Sequence, residues 1–160
     1  MTKIKKYLKD PDTVLVFDMD GVLAKMEFGD YNHFAMNDEE WALACEEGEN
    51  LYPKEAVIKK MQKFLKTRNM DNIYVISKVY NEKESQMKDE FLTKYYNIKK
   101  DHIYYVDSNN AKVGVLLKIK EKYPDIEDYK IAMIEDSVDV LNDVMDKTNF
   151  STIHISSFID

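Results

Sequence analysis

With 160 residues, 44% hydrophobic and 12% aromatic, the chain suits one domain with a substantial core, and wholesale disorder is excluded. A formal charge of −7 argues against a general nucleic-acid-binding surface, which needs clustered lysine and arginine. Cys45 is the single cysteine, so an intramolecular disulfide and a thiolate metal cluster are excluded; any metal must use oxygen ligands or the scattered His33, His102 and His154, and the 30 Asp and Glu point towards a hard cation such as magnesium.

The N-terminus, Met1 to Lys6, is charged and no long apolar stretch follows it, so a soluble cytoplasmic protein with no membrane segment is expected. Val14-Leu15-Val16-Phe17 then reads as a strand buried on both faces, as in a parallel sheet. It delivers Asp18 and Asp20 into a turn at Gly21. Two carboxylates at the end of a buried strand either bind a cation or do chemistry.

From about residue 25 to 52 the pattern breaks into an insertion holding Phe28, Tyr31, His33, Phe34 and Trp41, with a short helix expected after Asn37, where Glu40 completes a capping box. These aromatics either line a substrate entrance or pack a small subdomain on the core, with packing favoured. Val57, Met61, Phe64 and Leu65 mark a helix that starts near Pro53.

Ile73 to Ile76 is a strand leading to Ser77, and Asn81 with Glu84 opens a helix striped by Met87, Phe91 and Tyr95. Ile103 to Val106 leads to Asp107. Val113, Leu116 and Leu117 pattern a helix that begins at Lys112 and is closed by Pro124. Ile131 to Ile134 leads to Glu135 and Asp136; Val138, Leu141, Val144 and Met145 pattern the last helix; Thr152 to Ile155 leads to Ser156.

Short apolar runs alternating with amphipathic ones predict an α/β fold: a Rossmann-like three-layer sandwich with a mainly parallel five-stranded sheet and a short cap insertion after the first strand. The single domain spans 1–160, with the insertion at about 25–52. Ligands of such sheets bind at the carboxyl ends of the strands, the rim where Asp18, Asp20, Ser77, Asp107, Glu135 and Asp136 fall. At that rim Asp18 could attack a phosphorus atom, with Asp20 as general acid and then general base. A magnesium ion would offset the repulsion between carboxylates and phosphate, with Asp136 as a ligand beside Asp18. Ser77 could donate to a phosphoryl oxygen, and Lys112 would supply a fixed cation. Lys118 is a rival that lies well inside its helix. Lys78, directly after Ser77, is read as an exposed lysine with a substrate contact as the alternative.

Four motifs in this order, Asp18-x-Asp20-Gly21 after an apolar strand, Ser77 after the second strand, Lys112 at a helix start and the Glu135, Asp136, Asp139 acids, resemble the haloacid dehalogenase superfamily of phosphotransferases. The resemblance implies a Mg2+-dependent phosphatase working through an aspartyl-phosphate on Asp18. It implies metal ligation by Asp18, by the backbone carbonyl of Asp20 and by Asp136. The division of labour among Glu135, Asp136 and Asp139 stays open. The first motif looks loosely like that of nucleotidases in that superfamily, so the substrate expected is a nucleotide monophosphate or another small phosphorylated metabolite. The insertion corresponds to a small cap, which leaves the site open unless a partner subunit, as in a homodimer, completes it. The alternative reading is a non-hydrolytic phosphate-binding or regulatory module using the same acidic rim.

Overall fold

The computed structural model describes residues 3–26 and 36–158. Five strands, β1 (Val14–Phe17), β2 (Ile73–Lys78), β3 (Ile103–Val106), β4 (Ile131–Glu135) and β5 (Ser151–His154), form one sheet in the order β3-β2-β1-β4-β5. Every pairing is parallel, so the sheet is wholly rather than mainly so. Helices α1 (Lys3–Lys9), α2 (Asp38–Glu47), α3 (Lys59–Leu65), α4 (Glu82–Tyr96), α5 (Lys112–Glu121) and α6 (Val138–Lys147) complete the described elements, with single 3-10 turns between them. No helix among the described residues is long and apolar enough to cross a membrane.

β1 lies at the centre, and all four of its residues are fully buried. The two-residue period of a strand explains the three layers. Leu15 and Phe17 pack with Leu8 of α1, Met61 and Leu65 of α3, and Phe91 and Leu92 of α4. Val14 and Val16 point the other way, into a second core with Val113, Leu116 and Ile119 of α5 and Leu141 and Val144 of α6. Strand order reverses beside β1, since β2 and β3 lie on one side and β4 and β5 on the other. The crevice between the carboxyl ends of β1 and β4 is therefore the place where such a sheet opens to a ligand.

The helix expected from Pro53 starts later. Pro53 precedes a 3-10 turn at Lys54–Ala56, and Val57 is extended (φ −63°, ψ 123°) because it bridges Ala24 in antiparallel fashion. The amides of Lys25 and Ile58 donate to the carbonyls of Ala56 (2.8 Å) and Leu23 (3.3 Å). Tyr96 of α4 joins the same place, its hydroxyl donating to Leu23 and accepting from the Ile58 amide. The two ends of the insertion are thus fastened together, and that tertiary pairing overrides local helix preference.

Within the insertion, α2 carries the expected capping box, with the Asn37 side chain accepting from the Glu39 and Glu40 amides and Glu40 reaching back to the Asn37 amide at 2.9 Å. Phe28, Tyr31, His33 and Phe34 lie outside the described residues. Trp41 is buried against Tyr52, edge to face at 6.0 Å, as core packing requires. Helical periodicity does not mark α1, whose one buried residue is Leu8. β5 stops at His154, and Ile155 instead opens a 3-10 turn.

Candidate active site

The Asp18 amide donates to the Ile134 carbonyl at 2.9 Å, so the β1–β4 ladder runs one residue past the strand and fixes Asp18 on the rim. A tight turn follows, in which the Met19 carbonyl accepts from the amides of Leu23 (2.8 Å) and Ala24 (2.9 Å). Gly21 has φ +78°, and a Cβ there would lie 2.2 Å from Oδ2 of Asp136. Glycine is needed twice over, for backbone conformation and for the close approach of β4's acid to the β1 turn. Gly21→Ala is expected to cost about 1–2 kcal/mol for the left-handed backbone alone, with a further loss as Asp136 is displaced. A urea titration checks this, and an unchanged midpoint would show that the turn relaxes freely.

Lys112 opens α5 and is 2% exposed. Its ammonium donates to Asp18 Oδ1 and to Glu135 Oε2, both at 2.7 Å. Burial works against its charge, but Asp18 and Glu135 more than compensate and hold its pKa above the usual lysine range. Lys118 is exposed on the same helix, so only Lys112 of the two reaches the rim.

One ammonium facing two buried carboxylates leaves an excess of negative charge. Burial first, then Glu135 and Asp20, push Asp18 from the ordinary 3.8 up to about 7 against the pull of Lys112. Burial likewise raises Glu135. Its other oxygen, Oε1, accepts from the amides of Asp136 (3.1 Å) and Ser137 (3.3 Å), so both of its oxygens are engaged. Asp136 is exposed. Asp18, Glu135 and Asp136 each offer an oxygen, and the three atoms lie within 4.8 Å of one another. An oxygen-only donor set carrying excess negative charge fits a hard divalent cation such as Mg2+.

Asp20 turns elsewhere. Its Oδ2 lies 2.7 Å from the Lys88 ammonium and its Oδ1 accepts from the Tyr52 hydroxyl at 2.9 Å. Ser77 is fully buried, and its Oγ accepts from Lys88 at 2.9 Å. Lys88 also donates to the Lys78 carbonyl (2.6 Å) and pairs with Glu84 (2.9 Å). Glu84 in turn accepts from Trp41 Nε1 (3.1 Å) and from the Tyr80 amide (2.8 Å). Sequence reasoning missed Tyr52, Glu84 and Lys88. The signal was present: Glu84 and Lys88 stand four apart, on the helical stripe that continues through Phe91 and Leu92.

The remaining rim residues are peripheral. Asp107 is exposed, and Asp139 is exposed in the first turn of α6, where it suits the helix N-terminus. At the end of β5, His154 Nδ1 meets Ser156 Oγ at 2.7 Å, and Nε2 lies 3.1 Å from the Asp136 carbonyl, steadying the turn that carries that acid.

A cavity of about 280 Å³ opens over these groups. Asp18, Asp20, Lys112, Glu135 and Asp136 form its floor, and Met26, Met36 and Trp41 from the insertion form an apolar wall. Lys78 and Tyr80 border it as well, with the Lys78 ammonium 4.7 Å from the centre of the Tyr80 ring. No protein-family model and no curated protein matches the chain.

Proposed function

We propose that the chain is a Mg2+-dependent phosphomonoester hydrolase of the haloacid dehalogenase type. The observation that carries this reading is Lys112 bridging Asp18 and Glu135 in the crevice between β1 and β4, with Asp136 drawn against Gly21 on the other side. A nucleophilic carboxylate, its fixed cation and a second acid for a divalent ion meet in one place. Asp20 stands at the same cavity with its own support.

Asp18 attacks phosphorus, forming an acyl-phosphate bond as the phosphorus to leaving-oxygen bond breaks. Asp20 transfers a proton to that oxygen, then takes one from the water that hydrolyses the aspartyl-phosphate. Lys112 offsets charge on the transferring phosphoryl oxygens and holds Asp18 in line. Glu135, bonded to Lys112 and two amides, holds Lys112 and the β4 turn beside the ion's place; Asp18 and Asp136 would hold the ion there, joined, as the family resemblance implies, by the Asp20 carbonyl. Bound there, Mg2+ would neutralise phosphate and carboxylate charge together. Ser77 reaches a phosphoryl oxygen only if its hydroxyl turns from its buried partners, so its role here is to anchor the end of β2.

The cavity suits a phosphoryl group with a compact leaving group, as in a small phosphorylated metabolite or a nucleotide monophosphate. Hydrolysis of p-nitrophenyl phosphate should vanish with EDTA and return with excess Mg2+. Hydrolysis indifferent to chelation overturns the mechanism. A regulatory module would instead hold the aspartyl-phosphate for hours, which trapping at timed intervals would reveal.

A further inference from the structure

We infer that Lys88 is a positioning residue that, with Tyr52, clamps the Asp20 carboxylate over the cavity and thereby couples the insertion to proton transfer. The inference rests on the phosphatase reading and goes beyond it, because neither residue belongs to the four motifs. Its basis is geometry. The Lys88 side chain is 0% exposed, and its ammonium meets Asp20 Oδ2, Ser77 Oγ, the Lys78 carbonyl and Glu84 Oε1, all within 2.9 Å.

One cation thus ties together the turn after β1, the end of β2 and α4. Apolar residues would fill its place on the α4 stripe at lower desolvation cost, since Phe91 and Leu92 continue the same stripe. What a methionine would not do is grip Asp20. That carboxylate is 24% exposed and faces the cavity, so its donors decide where its oxygens point.

The second prong comes from the insertion. Tyr52 donates to Asp20 Oδ1, and its hydroxyl also lies 3.3 Å from Glu84 Oε1. Trp41 donates to that same Glu84 oxygen. Glu84 is therefore the joint at which the insertion meets Lys88, and the two prongs hold both oxygens of Asp20. Lys88 does not line the cavity, whereas Asp20 does, so Lys88 acts through Asp20.

Leaving-group dependence separates positioning from simple support. An alkyl phosphate needs its departing oxygen protonated, whereas p-nitrophenolate leaves without help. Lys88→Met should lower kcat/KM for glycerol 2-phosphate about 100-fold while changing that for p-nitrophenyl phosphate by about threefold or less, the range expected for impaired general acid catalysis. Tyr52→Phe, which removes one oxygen, should show the same bias at about tenfold. In an Asp20→Asn background, Lys88→Met should produce no further bias.

Equal losses on both substrates overturn the inference while leaving the phosphatase reading intact, as does a bias that persists without Asp20. If Lys88→Met fails to fold, Tyr52→Phe decides, and an unbiased Tyr52→Phe overturns the clamp. Wild-type protein that hydrolyses neither ester overturns the phosphatase reading and the clamp with it.

Discussion

Asp18→Asn is expected to abolish phosphate ester hydrolysis and, at pH 8 without divalent cation, to make the protein more stable than the wild type. Loss of the proposed nucleophile should lower kcat by about 10⁴-fold or more, since the remaining groups then have no bond-forming partner to serve. The gain in stability follows from charge. Lys112 faces two buried carboxylates, and an amide in place of Asp18 leaves it paired one to one with Glu135. About 1–2 kcal/mol is expected, in line with relief of a strained functional site, or roughly 3–6 °C in melting temperature.

The sign of the pH dependence is fixed by the same crowding. Burial raises Asp18 from 3.8 in the unfolded chain up to about 7 in the folded one. Below about pH 4 the carboxyl holds its proton in both states, and its contribution is fully present. As pH climbs through 7 the folded protein must ionise a buried group, and that contribution is lost. Wild type in EDTA should therefore lose stability between pH 4 and pH 8, and Asp18→Asn should lose less. The two proteins should melt together near pH 4.5 and apart at pH 8. Melting curves that stay parallel across this range would show that Lys112 alone balances the cluster.

The rim was legible in the sequence because it depends on short-range pattern. A four-residue apolar strand ending in Asp18, a strand ending at Glu135 and a helix starting at Lys112 place their side chains by chain direction alone, and all three meet within hydrogen-bonding distance. What supports Asp20 was not legible, because its partners are set by tertiary contact. Lys88 looks like a solvated helix residue until α4 docks, and Tyr52 looks like another aromatic of the insertion until the Ala24–Val57 bridge closes the insertion's base. The late start of α3 has the same cause, a pairing between residues 33 apart that local propensity cannot register.

Lys112→Met should act in the opposite direction to Asp18→Asn, although the two side chains are hydrogen-bonded to each other. Methionine can occupy much of the lysine's volume but leaves Asp18 and Glu135 facing one another without a cation, at 8% and 2% side-chain exposure. Breaking a buried pair from one side costs about 3–5 kcal/mol, which corresponds to roughly 10 °C in melting temperature for a chain of this size. The penalty should shrink towards pH 5, where the carboxylates take up protons. It should also shrink when Asp18 is already asparagine, because only Glu135 then remains unpaired, and it keeps the Asp136 and Ser137 amides as donors. A double-mutant cycle at pH 8 should therefore show a coupling of at least about 1 kcal/mol. Strict additivity would mean that Lys112 stabilises the fold by packing alone, and that the excess of negative charge around Asp18 is balanced by some other group.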